Sequence, residues 1–307
     1  MVALLFPGQG AQFVGMGRDL AAAFPVARET FEEADDVLGT PLSRLMWEGP
    51  AEELTATHNA QPAILTHSVA VYRVVATALD GVRAAAGHSL GEFSAYVAAG
   101  GLRFADALRT VRRRGELMFR SGEERPGTMA AILGLEDAVV ERVCRDATTA
   151  QSVCVPANYN APGQVVVSGD VPAVERAIEL AGEAGARRAI RLNVSGAFHS
   201  PLMETAQAGL AAQLEETPIE APRFPVVSNV TAMPNTDAGS ARDLLVRQLT
   251  APVRWTGCMR SLLDLEVSSF FELGPGTVLS GLLRRLDRSA VSRPLGTAAE
   301  IESFLSA

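Results

Sequence analysis

The sequence contains no lysine, so all 27 of its basic residues are arginine. We attribute this to coding bias, because no fold needs to exclude every lysine. Acidic residues number 35, which gives a formal net charge of −8 at pH 7. A surface that binds nucleic acid needs an excess of positive charge. The composition therefore disfavours DNA and RNA as partners.

Cysteines and long apolar runs are also scarce. The three cysteines, Cys144, Cys154 and Cys258, form no Cys-x-x-Cys pair, so neither a disulfide framework nor a zinc site is expected. No apolar run is long enough to span a membrane, and the first residues lack the basic segment of a signal peptide. We therefore expect a cytoplasmic protein that does not bind membranes.

The residues Gly87-His88-Ser89-Leu90-Gly91 form a Gly-x-Ser-x-Gly motif. An apolar strand is predicted before it and a buried helix at 93–99 after it. The glycines allow a sharp turn that lifts the hydroxyl out of the sheet. The N–H of Leu90, at the helix N-terminus, can then stabilise a negative oxygen on a substrate carbonyl. The motif predicts acyl transfer with Ser89 as nucleophile, although a plain strand-to-helix turn also fits these five residues alone.

A serine nucleophile needs a base within hydrogen-bond reach, and the chain has only four histidines. His88 is adjacent to Ser89, and adjacent side chains at a strand end point in opposite directions, so we expect it to be structural. His58 and His67 are expected to be surface residues or hydrogen-bonded structural residues. His199 lies between a glycine turn and a proline, and it is the best candidate for the base.

Two other features could belong to the same site. Gln9 lies between two glycines after the first predicted strand, in a loop that can closely approach a ligand or form a plain connecting turn. The helix predicted at 104–119 carries a cluster of arginines, and Arg114 lies beside its apolar stripe. Arg114 should therefore point inward, where its charge needs an anion.

The order of the predicted elements indicates an α/β fold. Outside 127–196, strands and helices alternate, which indicates a parallel sheet with the nucleophile at the carboxyl end of a strand. Within 127–196 the order βαββαβ is that of a ferredoxin-like unit, and the polar segment 123–127 is the predicted linker. We expect an α/β-hydrolase-like parallel-sheet core, formed by 1–126 and 197–307, into which a ferredoxin-like subdomain is inserted at 127–196.

Seven short motifs follow one another over essentially the whole chain. They are Phe6-Pro7-Gly8-Gln9-Gly10-Ala11-Gln12, Gly87-His88-Ser89-Leu90-Gly91-Glu92, Arg112-Arg113-Arg114-Gly115, Ala157-Asn158-Tyr159-Asn160, Ala197-Phe198-His199-Ser200, Gln248-Leu249-Thr250-Ala251-Pro252-Val253-Arg254-Trp255 and Glu272-Leu273-Gly274-Pro275. In order and spacing the chain resembles the malonyl-CoA:acyl carrier protein transacylases, a domain type that also supplies extender units to polyketide synthases. Seven motifs in one order are far more specific than Gly-x-Ser-x-Gly alone.

The resemblance implies a role for each matching residue. Ser89 would become acylated, and His199 would activate it and later deprotonate the incoming thiol. Gln9 and the backbone N–H of Leu90 would form the oxyanion hole. Arg114 would hold the free carboxylate of the malonyl group.

Four further residues match positions around the cleft of that family. Gln248 would lie beside His199 and orient it together with a backbone carbonyl, and no acidic third member of a triad is implied. Asn158 and Asn160 would be structural or would contact substrate. Phe198 would leave little room for a methyl branch, which favours malonyl over methylmalonyl.

The resemblance thus predicts an enzyme that transfers malonyl from malonyl-CoA to the phosphopantetheine thiol of acyl carrier protein through a malonyl-serine intermediate, for fatty-acid or polyketide synthesis. We expect a monomer that uses no cofactor or metal. Arg187, Arg188 and Arg191 are candidates for a basic face that docks an acidic carrier protein. An acyl hydrolase with the same elbow and a non-catalytic module that binds carrier proteins are the alternatives.

Overall fold

The structure is a computed structural model that describes residues 1–306. Its strands are β1 Val2–Phe6, β2 Val82–Gly87, β3 Gly127–Leu133, β4 Cys154–Ala161, β5 Gln164–Asp170, β6 Arg188–Arg191, β7 Val226–Val227, β8 Pro234–Asn235, β9 Ser269–Leu273 and β10 Val291–Leu295. Its helices are α1 Arg18–Ala23, α2 Pro25–Leu38, α3 Leu42–Glu48, α4 Ala51–Thr55, α5 Thr57–Val75, α6 Gly91–Ala98, α7 Phe104–Glu124, α8 Asp137–Ala147, α9 Val171–Glu183, α10 Glu204–Glu216, α11 Ala238–Arg247, α12 Trp255–Asp264, α13 Val278–Leu286 and α14 Ala298–Leu305. Short 3₁₀ turns occupy Ala76–Ala78 and Pro201–Met203.

The larger sheet has the strand order β10-β9-β1-β2-β7-β8, and every neighbouring pair is parallel except β7 with β8. The central strands are apolar because both of their faces are covered. Along β1, Leu4 and Phe6 pack into one core, whereas Ala3 and Leu5 pack into the core on the opposite face. The predicted parallel α/β core is confirmed, and the Gly-x-Ser-x-Gly motif lies at the carboxyl end of β2.

The smaller sheet is antiparallel and has the order β4-β5-β3-β6. Its strands alternate with α8 and α9 along the chain, and the second, third, first and fourth strands lie side by side, which is the ferredoxin-like arrangement. Two backbone hydrogen bonds attach this sheet to the rest of the protein, from Tyr159 N–H to Val253 O at 2.9 Å and from Val253 N–H to Ala157 O at 2.8 Å. The division of the chain at 127 and 196 stays a prediction.

Two predicted boundaries were wrong. The linker expected at 123–127 is shorter, because α7 continues to Glu124 and β3 begins at Gly127. Pro126 ends the helix, since the residue before a proline disfavours helical backbone angles. Because proline is common in the first turn of a helix, the residues Gln61-Pro62-Ala63 predict a helix that starts at Gln61, whereas α5 begins at Thr57. Pro62 cannot donate to the carbonyl of His58, and Arg112 Nη1 donates to that oxygen instead at 3.1 Å.

The prediction for His67 was also wrong. The residue is fully buried in α5, and neither ring nitrogen has a hydrogen-bond partner within residues 1–306. Burial lowers its pKa to about 4, so the imidazole is neutral at physiological pH. The sequence shows neither that this histidine is buried nor whether its ring nitrogens have hydrogen-bond partners.

Candidate active site

Ser89 lies in the turn between β2 and α6 with φ of 51°, a left-handed value that non-glycine residues rarely adopt. The flanking glycines make this turn possible. A Cβ on Gly87 would lie 1.8 Å from the carbonyl carbon of Gly91, and a Cβ on Gly91 would lie 2.1 Å from Phe6 O. Because both obstacles are backbone atoms, no side chain can be accommodated at either position.

Replacing Gly91 with alanine is expected to destabilise the protein by about 3 kcal/mol or more, because the new methyl group must displace the backbone of β1. Urea unfolding of the purified variant measures this loss. Gly182→Ala is the matched control, because no atom lies within 4 Å of its Cβ position near the end of α9. That control should change stability by less than about 1 kcal/mol. Equal unfolding midpoints for the two variants would contradict the steric argument.

His199 is within hydrogen-bond reach of Ser89, the predicted nucleophile. Its Nε2 lies 2.8 Å from Ser89 Oγ, and its Nδ1 lies 2.8 Å from the backbone oxygen of Gln248. A carbonyl oxygen only accepts, so Nδ1 carries the hydrogen and Nε2 presents a lone pair to the serine hydroxyl. Burial and the charge of Arg114 lower the pKa of His199 to about 3. The imidazole is therefore neutral and able to accept a proton.

Arg114 projects from α7 into the same site and is 1% exposed. Its Nη1 donates to Gln61 Oε1 at 2.6 Å, and its Nη2 donates to Gln248 Oε1 at 3.0 Å and to Ser89 Oγ at 3.1 Å. Its Nε has no hydrogen-bond partner, and no carboxylate of residues 1–306 forms a salt bridge with it. Burial lowers its pKa only to about 10, so it stays charged near neutral pH. The site thus holds a cation with room for an external anion.

The position of Gln248 differs in one respect from the expectation. Its own backbone carbonyl, and not its side chain, accepts the hydrogen bond from His199. The side-chain amide instead accepts from Arg114, while Nε2 donates to Ser89 O at 3.0 Å and to Glu92 Oε2 at 2.7 Å. One residue therefore fixes the imidazole through its backbone and the guanidinium through its side chain.

Two backbone N–H groups close to Ser89 have no hydrogen-bond acceptor. Neither Gln9 N–H nor Leu90 N–H donates a hydrogen bond to any atom of residues 1–306, and both residues line the cavity that contains Ser89. The N–H of Ser89 itself is occupied, because it donates to Asn229 Oδ1 at 2.7 Å. The side-chain oxygen of Gln9 accepts from Thr57 Oγ1 at 2.8 Å, which fixes the loop. The geometry is suited to an oxyanion hole made of backbone donors.

These groups surround a single cavity of about 350 Å³. Asn158 and Phe198 are on its wall, and Asn160 Oδ1 lies 2.9 Å from His88 Nε2. The remaining wall is largely apolar and includes side chains from the smaller sheet. The cavity is lined by Gln9, Gly10, Gln12, Thr55, His88, Ser89, Leu90, Arg114, Met118, Met129, Asn158, Asn160, Val166, Leu192, Asn193, Val194, Phe198 and His199. Of the predicted site residues, only Gln248 is not on this wall, because it is buried behind Ser89 and Arg114.

Sequence reasoning missed three polar residues of this site. Gln61 contacts Arg114, Asn229 contacts the backbone of Ser89, and Glu92 contacts both Gln248 and Asn229. Burial raises the pKa of Glu92 to about 7, although the hydrogen bond from Gln248 opposes this rise. The available signal for Glu92 was its place in the first turn of the helix that follows Ser89.

Comparisons with known proteins agree with this geometry. The model of the acyl transferase domain matches residues 3–300. A protein of Escherichia coli (strain K12) named malonyl CoA-acyl carrier protein transacylase is 47% identical, and the alignment covers 98% of both chains. The protein of that name from Bacillus subtilis (strain 168) is also 47% identical, over 95% of this chain and 94% of its own. The chain belongs to the malonyl-CoA:acyl carrier protein transacylase family.

This membership confirms the resemblance that the seven motifs indicated. The fold agrees as well, since a solved complex of a type II PKS acyl-carrier protein with its malonyl-transacylase superposes with a TM-score of 0.96. The two transacylase chains are 42% identical, and 99% of each is covered. Within residues 1–306 no helix is long and apolar enough to cross a membrane, and no cluster of three or more histidine, cysteine or acidic side chains could hold a metal ion.

Proposed function

We propose that this chain transfers a malonyl group from malonyl-CoA to the phosphopantetheine thiol of acyl carrier protein. The observation that carries the proposal is at Ser89 Oγ, which lies 2.8 Å from His199 Nε2 and 3.1 Å from Arg114 Nη2. A nucleophile, a neutral base and a buried cation thus meet at one atom. A simple esterase needs the first two only, whereas a substrate with a free carboxylate uses all three.

In the first step Ser89 Oγ attacks the thioester carbon while His199 Nε2 takes the hydroxyl proton. The carbonyl oxygen gains negative charge and accepts hydrogen bonds from the N–H groups of Gln9 and Leu90. The carbon–sulfur bond then breaks, the imidazolium returns its proton to the departing sulfur, and CoA leaves as the thiol. In the second step His199 takes a proton from the phosphopantetheine thiol, whose sulfur attacks the carbonyl carbon of the malonyl-serine ester. The bond between that carbon and Ser89 Oγ then breaks, and the imidazolium returns the proton to Oγ, which leaves malonyl on the carrier protein and a free hydroxyl on Ser89.

The malonyl carboxylate has a second effect on the base. The charge of Arg114 is one of the causes that lower the pKa of His199. A carboxylate bound to the guanidinium compensates that charge, so the imidazolium that forms during the reaction becomes less costly. Substrate recognition and base strength are therefore linked through one arginine.

Phe198 supports malonyl over methylmalonyl as the acyl group. Its ring is on the cavity wall, and it directly precedes His199. The left-handed φ of His199, 56°, fixes the turn that carries both side chains. A methyl branch on the α-carbon would compete with this ring for space, because packed interiors resist added methyl groups.

The carrier protein is proposed to dock at a second depression, which we call the arginine cleft. It has a volume of about 910 Å³ and lies between the smaller sheet and α13, lined by Gly134, Pro162, Gly163, Arg187, Gly281, Arg284, Arg285 and Arg288. No salt bridge within residues 1–306 occupies these four arginines. Carrier proteins are usually acidic, so their charge complements this cleft. Of the three sequence candidates only Arg187 lines it, and Arg191 lies 3.5 Å from Glu175.

Replacing Arg284 with glutamate is expected to raise the KM for acyl carrier protein about tenfold, since reversing a charge opposes the steering of an acidic partner. Steady-state transfer at low salt, with malonyl-CoA saturating, measures this change. Arg28→Glu is the matched control, because Arg28 is also an exposed helical arginine but lies outside the cleft. Loading of Ser89 from malonyl-CoA should be unchanged in both variants. Equal KM values for the two would argue against docking at the arginine cleft.

Intact-mass measurement after mixing with malonyl-CoA tests the proposed function itself. We expect one malonyl group per chain, its removal when phosphopantetheinylated carrier protein is added, and no modification of Ser89→Ala. Malonate released without a carrier protein would indicate a hydrolase. An unmodified wild-type chain would indicate a module that only binds. We further propose that the enzyme needs no cofactor and acts as a cytoplasmic monomer.

A further inference from the structure

Glu92 is a fully buried carboxylate that the proposed mechanism does not use. It lies in the first turn of α6, three residues after Ser89. Its Oε2 accepts two hydrogen bonds, from Gln248 Nε2 at 2.7 Å and from the backbone N–H of Asn229 at 3.1 Å. Its Oε1 has no hydrogen-bond partner within residues 1–306. Both hydrogen bonds of the Glu92 carboxylate are therefore made by Oε2.

Both partners of that oxygen hold the nucleophile turn. Asn229 Oδ1 accepts from Ser89 N–H at 2.7 Å, and Asn229 Nδ2 donates to Gly87 O at 2.7 Å. Gln248 Nε2 donates to Ser89 O at 3.0 Å. Glu92 thus connects Asn229 and Gln248, which are distant from it in sequence, and both of these residues contact the backbone of Ser89.

The orientation of the Gln248 amide decides what Arg114 meets. Glu92 Oε2 accepts from the backbone N–H of Asn229 and from Gln248 Nε2, which leaves the amide oxygen of Gln248 facing Arg114 Nη2, 3.0 Å away. The opposite orientation would place the NH₂ group against the guanidinium, which also only donates, and the amide oxygen against Ser89 O and Glu92 Oε2, which both accept. The guanidinium is consequently anchored by neutral amide oxygens and keeps its charge available.

We infer that Glu92 is a positioning residue, whose Oε2 fixes the Gln248 amide and thereby aims Arg114 at the acyl group bound to Ser89. This inference rests on the proposed function, because the malonyl carboxylate is what Arg114 is aimed at. According to this inference, the side chain at position 92 must be long enough to bring an acceptor oxygen within hydrogen-bond distance of Gln248 Nε2. The competing explanation is that only the negative charge of Glu92 matters, as a counter-charge for Arg114.

Two conservative variants separate reach from charge. Glu92→Gln can place its amide oxygen where Oε2 lies and keep both hydrogen bonds, while its NH₂ takes the place of the unpartnered Oε1. Glu92→Asp keeps the charge but withdraws the carboxylate by one carbon–carbon bond, away from Gln248 Nε2. The measurement is the ratio of kcat/KM for acylation of Ser89 by malonyl-CoA and by acetyl-CoA, since acetyl has no carboxylate for Arg114 to bind.

We expect Glu92→Asp to lower the malonyl-to-acetyl ratio about tenfold and Glu92→Gln to keep it within threefold of wild type. Loss of the ratio in Glu92→Gln, or its retention in Glu92→Asp, would overturn the inference. Thermal unfolding of each variant separates this effect from a general loss of structure, because a smaller folded fraction lowers both rates equally and leaves their ratio unchanged. If wild type itself is not malonylated, the proposed function fails, whereas a normal wild type with an unaltered aspartate variant overturns only the role of Glu92.

Discussion

Replacing His199 with alanine is expected to lower the rate of Ser89 acylation by malonyl-CoA by a factor of about 10³, within the range of 10²–10⁴ that a positioned general base contributes. The reason is that no other ring nitrogen contacts Ser89 Oγ, since His88 Nε2 faces Asn160 instead. Rapid-quench measurement of malonyl-enzyme formation gives this rate directly, without the carrier protein.

His58→Ala is the control for this experiment, because His58 is a partly buried histidine outside the cavity, against the ring of Phe119. It should acylate at the wild-type rate. A His199→Ala variant that keeps more than a tenth of the wild-type rate would mean that the serine hydroxyl is activated by another group.

The second large effect is expected for Arg114→Ala. This variant should lower kcat/KM for malonyl-CoA by a factor of roughly 10², which corresponds to a loss of about 3 kcal/mol of transition-state stabilisation. The contact of Nη2 with Ser89 Oγ is lost for either substrate, whereas only malonyl also loses the partner of its carboxylate, so acetyl-CoA should become a relatively better substrate. Arg113→Ala is the control, since the adjacent side chain of α7 is 43% exposed and lies 3.7 Å from Glu116. Similar malonyl-to-acetyl ratios in both variants would argue against a carboxylate clamp.

The same arginine variant should change the pH dependence of acylation. In the free wild-type enzyme burial and the charge of Arg114 lower the pKa of His199 to about 3, so the base stays deprotonated in mildly acidic solution. Removing the cation raises that pKa, because one of its two main causes is gone. The acid limb of kcat/KM for acetyl-CoA, which reports the free enzyme, should therefore begin at a higher pH in Arg114→Ala than in wild type.

The turn that carries Ser89 could be predicted because all of the residues that form it are close together in sequence. Two glycines around a serine, a short apolar strand and a following helix are all contiguous in sequence, and steric limits on the backbone determine the rest. The ferredoxin-like order of the smaller sheet was likewise visible in the order of its elements. Seven motifs then related the whole chain to a family.

Long-range polar contacts could not be predicted in the same way. Asn229 accepts a hydrogen bond from the N–H of Ser89, which lies 140 positions earlier in the chain. Nothing in the sequence around Asn229 marks it as part of the site. Gln61 was considered only as the start of a helix, although its side chain holds Arg114. The start of α5 was misplaced for a related reason, since a distant arginine satisfies the carbonyl that Pro62 leaves free. Such compensation depends on tertiary packing.

The backbone contacts around the turn that carries Ser89 determine how precisely the N–H groups of Gln9 and Leu90 are spaced. Gly8 and Gly91 bring the loop of Gln9 and the turn of Leu90 against each other with no side chain between them, and His88 N–H donates to Phe6 O at 2.9 Å. The spacing between the two prospective oxyanion donors is therefore set by main-chain atoms in direct contact. One segment therefore cannot move without the other, and the distance between the two N–H groups does not depend on the rotamer of any side chain.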